Sequence, residues 1–171
     1  MGGAGKLKGR IMNESTKALK VWDIAPTEEY FNELFRTCNN QIIWGGNYFT
    51  LPPTRAFICW DKVQPWPNFS ACEYAWTSFN YPSKIFRYDN RTGDKIHPTQ
   101  KPIQLYQWLL KHYAKPDDKI LDTHGGSMSI AIACDIMGFD AEIYEIDKDY
   151  YDSGVDRFNR HKQQTVLELV I

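Results

Sequence analysis

Short apolar runs bounded by glycine, proline and asparagine alternate along this chain with segments whose apolar positions recur every three to four residues. The first helical segment follows Thr27, whose hydroxyl suits an N-cap. Glu28 and Glu29 stand where a helix dipole favours acids, and Tyr30, Phe31, Leu34 and Phe35 share one face. Gln41-Ile42-Ile43-Trp44 predicts a buried strand ended by Gly45-Gly46, and Ala56-Phe57-Ile58-Cys59-Trp60 a second. Glu73-Tyr74-Ala75-Trp76-Thr77-Ser78-Phe79, with its aromatic and β-branched residues, predicts a third, and Ile85-Phe86-Arg87-Tyr88 a fourth. Leu51-Pro52-Pro53 and Gln64-Pro65-Trp66-Pro67 must be loop, because proline has no N–H to give a central ladder.

Beyond Pro102 the pattern sharpens. Pro102 opens a helix carrying Ile103, Leu105, Tyr106, Leu109 and Leu110. Lys115-Pro116-Asp117-Asp118 turns the chain into a short buried strand, Lys119-Ile120-Leu121-Asp122. After Thr123-His124-Gly125-Gly126, Ser127 is expected to start a helix through Ile130, Ala131, Ala133 and Met137, closed by Gly138 as a left-handed cap. Ala141-Glu142-Ile143-Tyr144-Glu145 is the next strand, and a helix follows over about 148–161. Strand, Gly-rich turn, helix and a strand ending in an acid make a βαβ unit of the doubly wound α/β kind.

Composition changes this picture little. At 171 residues, 43% of them apolar, the chain is one domain with enough apolar surface for a core. Residues 1–20, rich in glycine and lysine, are expected to be irregular, and 21–171 to form a single α/β domain. No apolar run reaches the roughly 18–20 residues that span a bilayer, and Met1-Gly2-Gly3-Ala4-Gly5-Lys6 has no signal core. Cys38, Cys59, Cys72 and Cys134 are widely spaced with no CxxC pair, which points to plain thiols and a reducing cytoplasm. The net charge is −1, neutral to mildly unfavourable for a nucleic-acid binder; only Lys6-Leu7-Lys8-Gly9-Arg10 forms a basic stretch, and a solvated terminus explains it equally well.

The Gly-rich turn carries the chemistry. Gly125 and Gly126 leave the backbone open to a ligand, and the helix that follows supplies free N–H donors. Glu145, 20 residues after Gly125, ends the next strand, where an acid accepts ribose hydroxyls. A nucleoside-bearing cofactor follows, with a plain tight turn and a solvent-facing Glu145 as the bland alternative. A nicotinamide dinucleotide would want a third glycine, and Met128 and Ser129 stand there instead. No metal constellation surrounds His97 or His124, which suit backbone hydrogen bonding.

One combination is more specific. His97-Pro98-Thr99-Gln100-Lys101-Pro102, a helix, then Leu121-Asp122-Thr123-His124-Gly125-Gly126-Ser127 resembles the β-class DNA adenine-N6/cytosine-N4 methyltransferases, whose turn is usually written D-P-F-x-G-S-G-T. The D-T-H-x-G-S variant is similar to a phage-associated branch. So, in the same order, are Asn40-Gln41-Ile42-Ile43-Trp44-Gly45-Gly46-Asn47-Tyr48-Phe49, then Trp60-Asp61-Lys62, then Glu73-Tyr74-Ala75-Trp76-Thr77-Ser78-Phe79. The resemblance runs from about residue 22 to 160. It implies a Rossmann-like S-adenosylmethionine-dependent methyltransferase fold with permuted motif order. Residues 21–96 would be the substrate-side half and 97–162 the cofactor-binding half.

The resemblance also implies roles. Asp122, Gly125, Gly126 and Ser127 would form the turn on the methionine side of S-adenosylmethionine, and Glu145 would bind its ribose. Ile146 would pack against adenine, and Thr99 and Lys101 would approach the carboxylate. Asn47, Tyr48, Trp60 and Lys62 would wall the substrate base, with Trp44 and Trp76 as bracing or core. The plain alternatives are a surface Lys101, a turn-capping Asp122 and a core Ile146. The implied reaction is methylation of an exocyclic amine of double-stranded DNA, adenine N6 favoured over cytosine N4 through the branch. A homodimer and a restriction endonuclease partner stay open, and no membrane is implied.

Two departures stand out. Met128 replaces the last glycine of the family's turn, so a tighter or shifted pocket is expected. The Asp/Ser/Asn-Pro-Pro-Tyr/Phe/Trp box, which holds the target amine and stacks on the flipped base, is absent from these residues. Leu51-Pro52-Pro53-Thr54 does not replace it, for leucine accepts no hydrogen bond and threonine has no stacking face. By family order the box would precede Met1, so the chain reads as N-terminally truncated, with the central strand before the box missing and the 119–122 strand lacking a neighbour on one side. A non-catalytic cofactor- or DNA-binding remnant is the alternative function.

Overall fold

Two small sheets share one helix. The computed structural model describes residues 25–89 and 95–169. The irregular segment expected over 1–20, with its basic stretch, lies outside the described residues.

Helix α1 (Glu28–Thr37) starts where Thr27 Oγ1 accepts the Tyr30 N–H. Strands β1 (Ile42–Trp44), β2 (Phe57–Asp61), β3 (Cys72–Thr77) and β4 (Lys84–Arg87) form one sheet in the order β1-β3-β2-β4. β3 runs antiparallel to β1 and β2, and β4 runs parallel to β2. Helix α2 (Ile103–Tyr113) follows Pro102, then β5 (Ile120–Asp122), α3 (Ser129–Met137), β6 (Ala141–Ile143) and α4 (Lys148–Leu169). β5 and β6 pair in parallel as a second sheet.

α2 joins the two halves because two adjacent faces of it are apolar. Leu105, Leu109 and Tyr113 pack with Ile58, Trp60 and Ala75 of the four-stranded sheet. Leu110 packs instead with Ile130, Ala133 and Cys134 of α3. Full burial of such side chains contributes about 1.5–3 kcal/mol each. No helix of the described residues is long and apolar enough to cross a membrane.

Three boundaries and the burial of one strand differ from expectation. The strand expected through Glu145 stops at Ile143, although the Tyr144 N–H still donates to Asp122 O at 2.8 Å. Ser127 does not open α3: the helix starts at Ser129, capped by Met128 in a left-handed conformation at φ 56°. β5 is not fully buried, and Leu121 is 38% exposed. Among the described residues β5 pairs with β6 alone. α4 continues to Leu169, past the expected end near 161.

Candidate functional site

The turn between β5 and α3 is fastened to β6 and to the segment beyond it. Tyr144 O accepts the Gly125 N–H at 2.7 Å, extending strand-like contact into the turn. Gly125 packs so closely on β6 that a Cβ there would lie 2.5 Å from Ile143 Cγ2. Gly126 has φ +52°, a left-handed conformation that glycine adopts without strain. Its N–H donates to Glu145 Oε2 at 2.7 Å, while Glu145 Oε1 accepts the Asp147 N–H at 2.9 Å. Gly125 therefore serves the protein's own packing and Gly126 its backbone conformation, reasons additional to the ligand access expected from sequence. Each carboxylate oxygen of Glu145 keeps a lone pair for a further donor. Ile146 beside it is 89% exposed, so it is not a core residue.

One stripe of α4 closes the other side of the turn. Tyr150, Gly154, Arg157 and His161 recur at helical spacing. The Tyr150 ring stands edge-on to the buried His97 ring at 4.2 Å. Arg157 donates to Ser127 O at 2.7 Å and to Ser129 Oγ at 2.9 Å. His161 Nε2 meets Asp135 of α3 at 3.1 Å. Ser127 is buried and its hydroxyl meets Ser129 Oγ at 3.0 Å.

Gly154 accommodates Met128, whose side chain is buried next to the turn. A Cβ on Gly154 would lie 2.6 Å from Met128 Cγ and 3.0 Å from Gly126 O. Alanine normally stabilises a helix interior by about 1 kcal/mol over glycine. Gly154→Ala should instead destabilise the protein by about 1–2 kcal/mol through overpacking. Thermal unfolding of Gly154→Ala, Met128→Ala and the double variant checks this: the double should lose less than the sum of the singles.

Asp122 ends β5 and accepts the His124 N–H at 2.9 Å, with no ion-pair partner among the described residues. Burial pushes its carboxyl above the ordinary value of 3.8, and Glu145 adds to the rise, against the lowering effects of the His124 N–H and Lys101. A carboxyl with a raised folded-state pKa favours folding while protonated. That contribution is lost as pH rises from the ordinary value through the raised one. Asp122→Asn should therefore show no thermal advantage over wild type at low pH. The advantage should grow across that window and stay level above it, as melting curves of both proteins over pH would show.

Thr99 and Lys101 lie on the segment leading into α2. The Thr99 N–H and hydroxyl meet His97 Nδ1 at 3.3 and 3.1 Å. Burial holds the His97 ring below its usual pKa, with Glu145 acting the other way. Lys101 Nζ pairs with Glu73 Oε2 at 3.2 Å, and Lys62 Nζ with Glu73 Oε1 at 2.6 Å. Glu73, which the sequence reading passed over, thus brings together one residue from each expected half. Its parity with Ala75 and Thr77, an acid on an inward-facing row, was the available signal.

Of the residues expected to wall a substrate base, one is core and two lie on an exposed turn. Trp60 does not line such a wall: the residue is 1% exposed in the core, with its indole N–H on Tyr88 O at 3.0 Å. Period-two alternation sends Trp60 inward with Ile58. Asn47 and Tyr48 occupy an exposed 3₁₀ turn, Gly46–Tyr48, with Tyr48 82% exposed. A chain of rings links their neighbour to the cofactor-side turn. Phe49 meets Phe31 at 5.1 Å, Phe31 meets Tyr30 at 5.2 Å, and Tyr30 Oη reaches Thr123 Oγ1 at 2.7 Å. In Leu51-Pro52-Pro53-Thr54 the polar atoms serve the fold. Pro52 O accepts the Trp76 indole N–H at 2.7 Å, and the Thr54 hydroxyl donates to Thr77 O at 2.6 Å.

A family model described as DNA methylase, for N6/N4 methyltransferases, matches residues 8–156. The chain is similar to M1.HpyAVI, crystallised in complex with SAM, at 25% identity and a TM-score of 0.51, over 60% of this chain and 61% of that one. It shares its fold with the cytosine-N4-specific PvuII DNA methyltransferase at 15% identity and a TM-score of 0.52, over 61% of this chain and 50% of that one. It thus spans between half and about three fifths of those proteins' lengths. The chain belongs to the N6/N4 DNA methylase family.

Proposed function

We propose that these residues are the S-adenosylmethionine-binding part of a DNA amino-methyltransferase. The observation that carries the reading is the glycine turn closed by Glu145, with Ile146 bare beside it and the half-buried Asp122 at its start. The residues fit a cationic nucleoside cofactor, since Asp122 is a carboxyl without a counter-ion among the described residues. Glu145 accepts the ribose hydroxyls with its remaining lone pairs and Ile146 covers one face of adenine. Asp122, Gly125, Gly126 and Ser127 border the methionine end, with Thr99 and Lys101 toward its carboxylate. When bound, the cofactor supplies an electrophilic methyl group on sulfur.

Residues 97–162 act as the cofactor half and 21–96 as the half facing double-stranded DNA, with adenine N6 as the target. Asn47, Tyr48 and Lys62 remain candidates for the substrate side. Positioning is the main catalytic resource for such a transfer, and no Asp-Pro-Pro-Tyr-type box is present here to position the amine. Cofactor binding without methyl transfer is the activity proposed for these 171 residues alone. Calorimetric titration tests the reading: S-adenosylhomocysteine should bind and NADH should not. Binding of NADH in place of S-adenosylhomocysteine would replace the methyltransferase reading with an oxidoreductase one.

A further inference from the structure

Two lysines share one carboxylate where the halves of the chain meet. Lys62 follows β2 and Lys101 precedes α2, and each side chain is only 13% exposed where it meets Glu73 of β3. Burial alone would raise the Glu73 carboxyl, but the ammonium groups of Lys101 and Lys62 outweigh it and hold it below the usual range. The Lys62 ammonium lies 5.4 Å from the centroid of the Trp60 ring, and that of Lys101 lies 5.1 Å from the Trp44 ring. Two cations and one anion leave a net positive charge in a largely desolvated place. Lys101 is the member of the three whose charge reaches both Asp122 and His97.

We propose that Glu73 is a positioning residue, which fixes the Lys101 ammonium against Trp44 as the cation that receives the carboxylate end of the cofactor. The inference rests on the S-adenosylmethionine reading. A lysine is a point charge on a flexible four-carbon stem, so its orientation must come from its partners. Glu73 supplies that orientation, and by pairing with Lys62 it also screens the repulsion between two largely buried ammonium groups. The excess positive charge stays available to an anion. Strand parity explains how the carboxylate arrives there, because Glu73 lies on the inward row of β3 with Ala75 and Thr77.

The test is a double-mutant cycle read by calorimetry, with S-adenosylhomocysteine and adenosine as ligands. Glu73→Gln should weaken S-adenosylhomocysteine binding roughly tenfold, near the lower end of the loss expected for one hydrogen bond to a charged group, because Glu73 acts through Lys101. Glu73→Gln in a Lys101→Met background should add less than about twofold, because the residue acts through Lys101. Adenosine has no carboxylate, so its affinity should be the same in wild type and Glu73→Gln. Equal losses for both ligands, additive losses in the double variant, or unchanged affinity in a folded Glu73→Gln would overturn the proposal. Should Glu73→Gln fail to fold, Glu73→Met fills a similar volume without a buried amide and carries the same expectations. Wild type binding neither ligand would instead be the failure of the underlying cofactor reading.

Discussion

Glu145→Ala is expected to weaken S-adenosylhomocysteine binding by about 1.5–3 kcal/mol, the scale of hydrogen bonds to a charged group. Two effects add. The ribose loses its acceptor, and the turn loses the strap from Glu145 Oε2 to the Gly126 N–H and from Oε1 to the Asp147 N–H. The second effect also reaches the unliganded protein, so its melting temperature should fall. Glu145→Gln separates the two contributions. Its amide keeps one acceptor but turns an NH2 group toward a backbone donor, so the strap is half lost while the side chain remains. Affinity should fall for both variants, and more for alanine. An unchanged dissociation constant in a folded Glu145→Ala would remove Glu145 from the cofactor site.

Much of the fold was legible because local signals agreed with one another. Thr27 with Glu28 and Glu29 announced α1, Pro102 announced α2, and Gly138 closed α3 at φ 76°. The four strands of the larger sheet lie within a few residues of the apolar runs that predicted them. Their pairing was not legible, because register and strand order depend on contacts between distant segments. The Gly125 turn and Glu145 could be read from spacing. The use of Gly125 for contact with Ile143 could not, because it depends on how closely β6 approaches. Met128 could be seen to replace a glycine, but its left-handed backbone and its seat against Gly154 are properties of packing. Trp60 failed as a wall residue because motif order outweighed strand parity. Glu73 and Arg157 escaped for the opposite reason: no motif assigned them a role, although parity in β3 and the Gly154-Arg157-His161 face of α4 pointed inward.

The largest expected effect concerns transfer. Holding a methyl donor supplies neither acceptors for the target amine nor a platform for an extruded base, and positioning and oriented dipoles lower such barriers by several kcal/mol. Leu51-Pro52-Pro53-Thr54 offers no substitute, with Pro52 O given to Trp76 and the Thr54 hydroxyl to Thr77. The near-neutral charge balance, 20 basic against 21 acidic residues, also offers few phosphate contacts to hold a duplex. The 171-residue chain should therefore retain tritiated S-adenosylmethionine on a filter yet incorporate no label into mixed-sequence DNA. The same chain preceded by a strand ending in Asp-Pro-Pro-Tyr should do both. Label in DNA from the unextended chain, or no retention of the cofactor by either protein, would contradict the account.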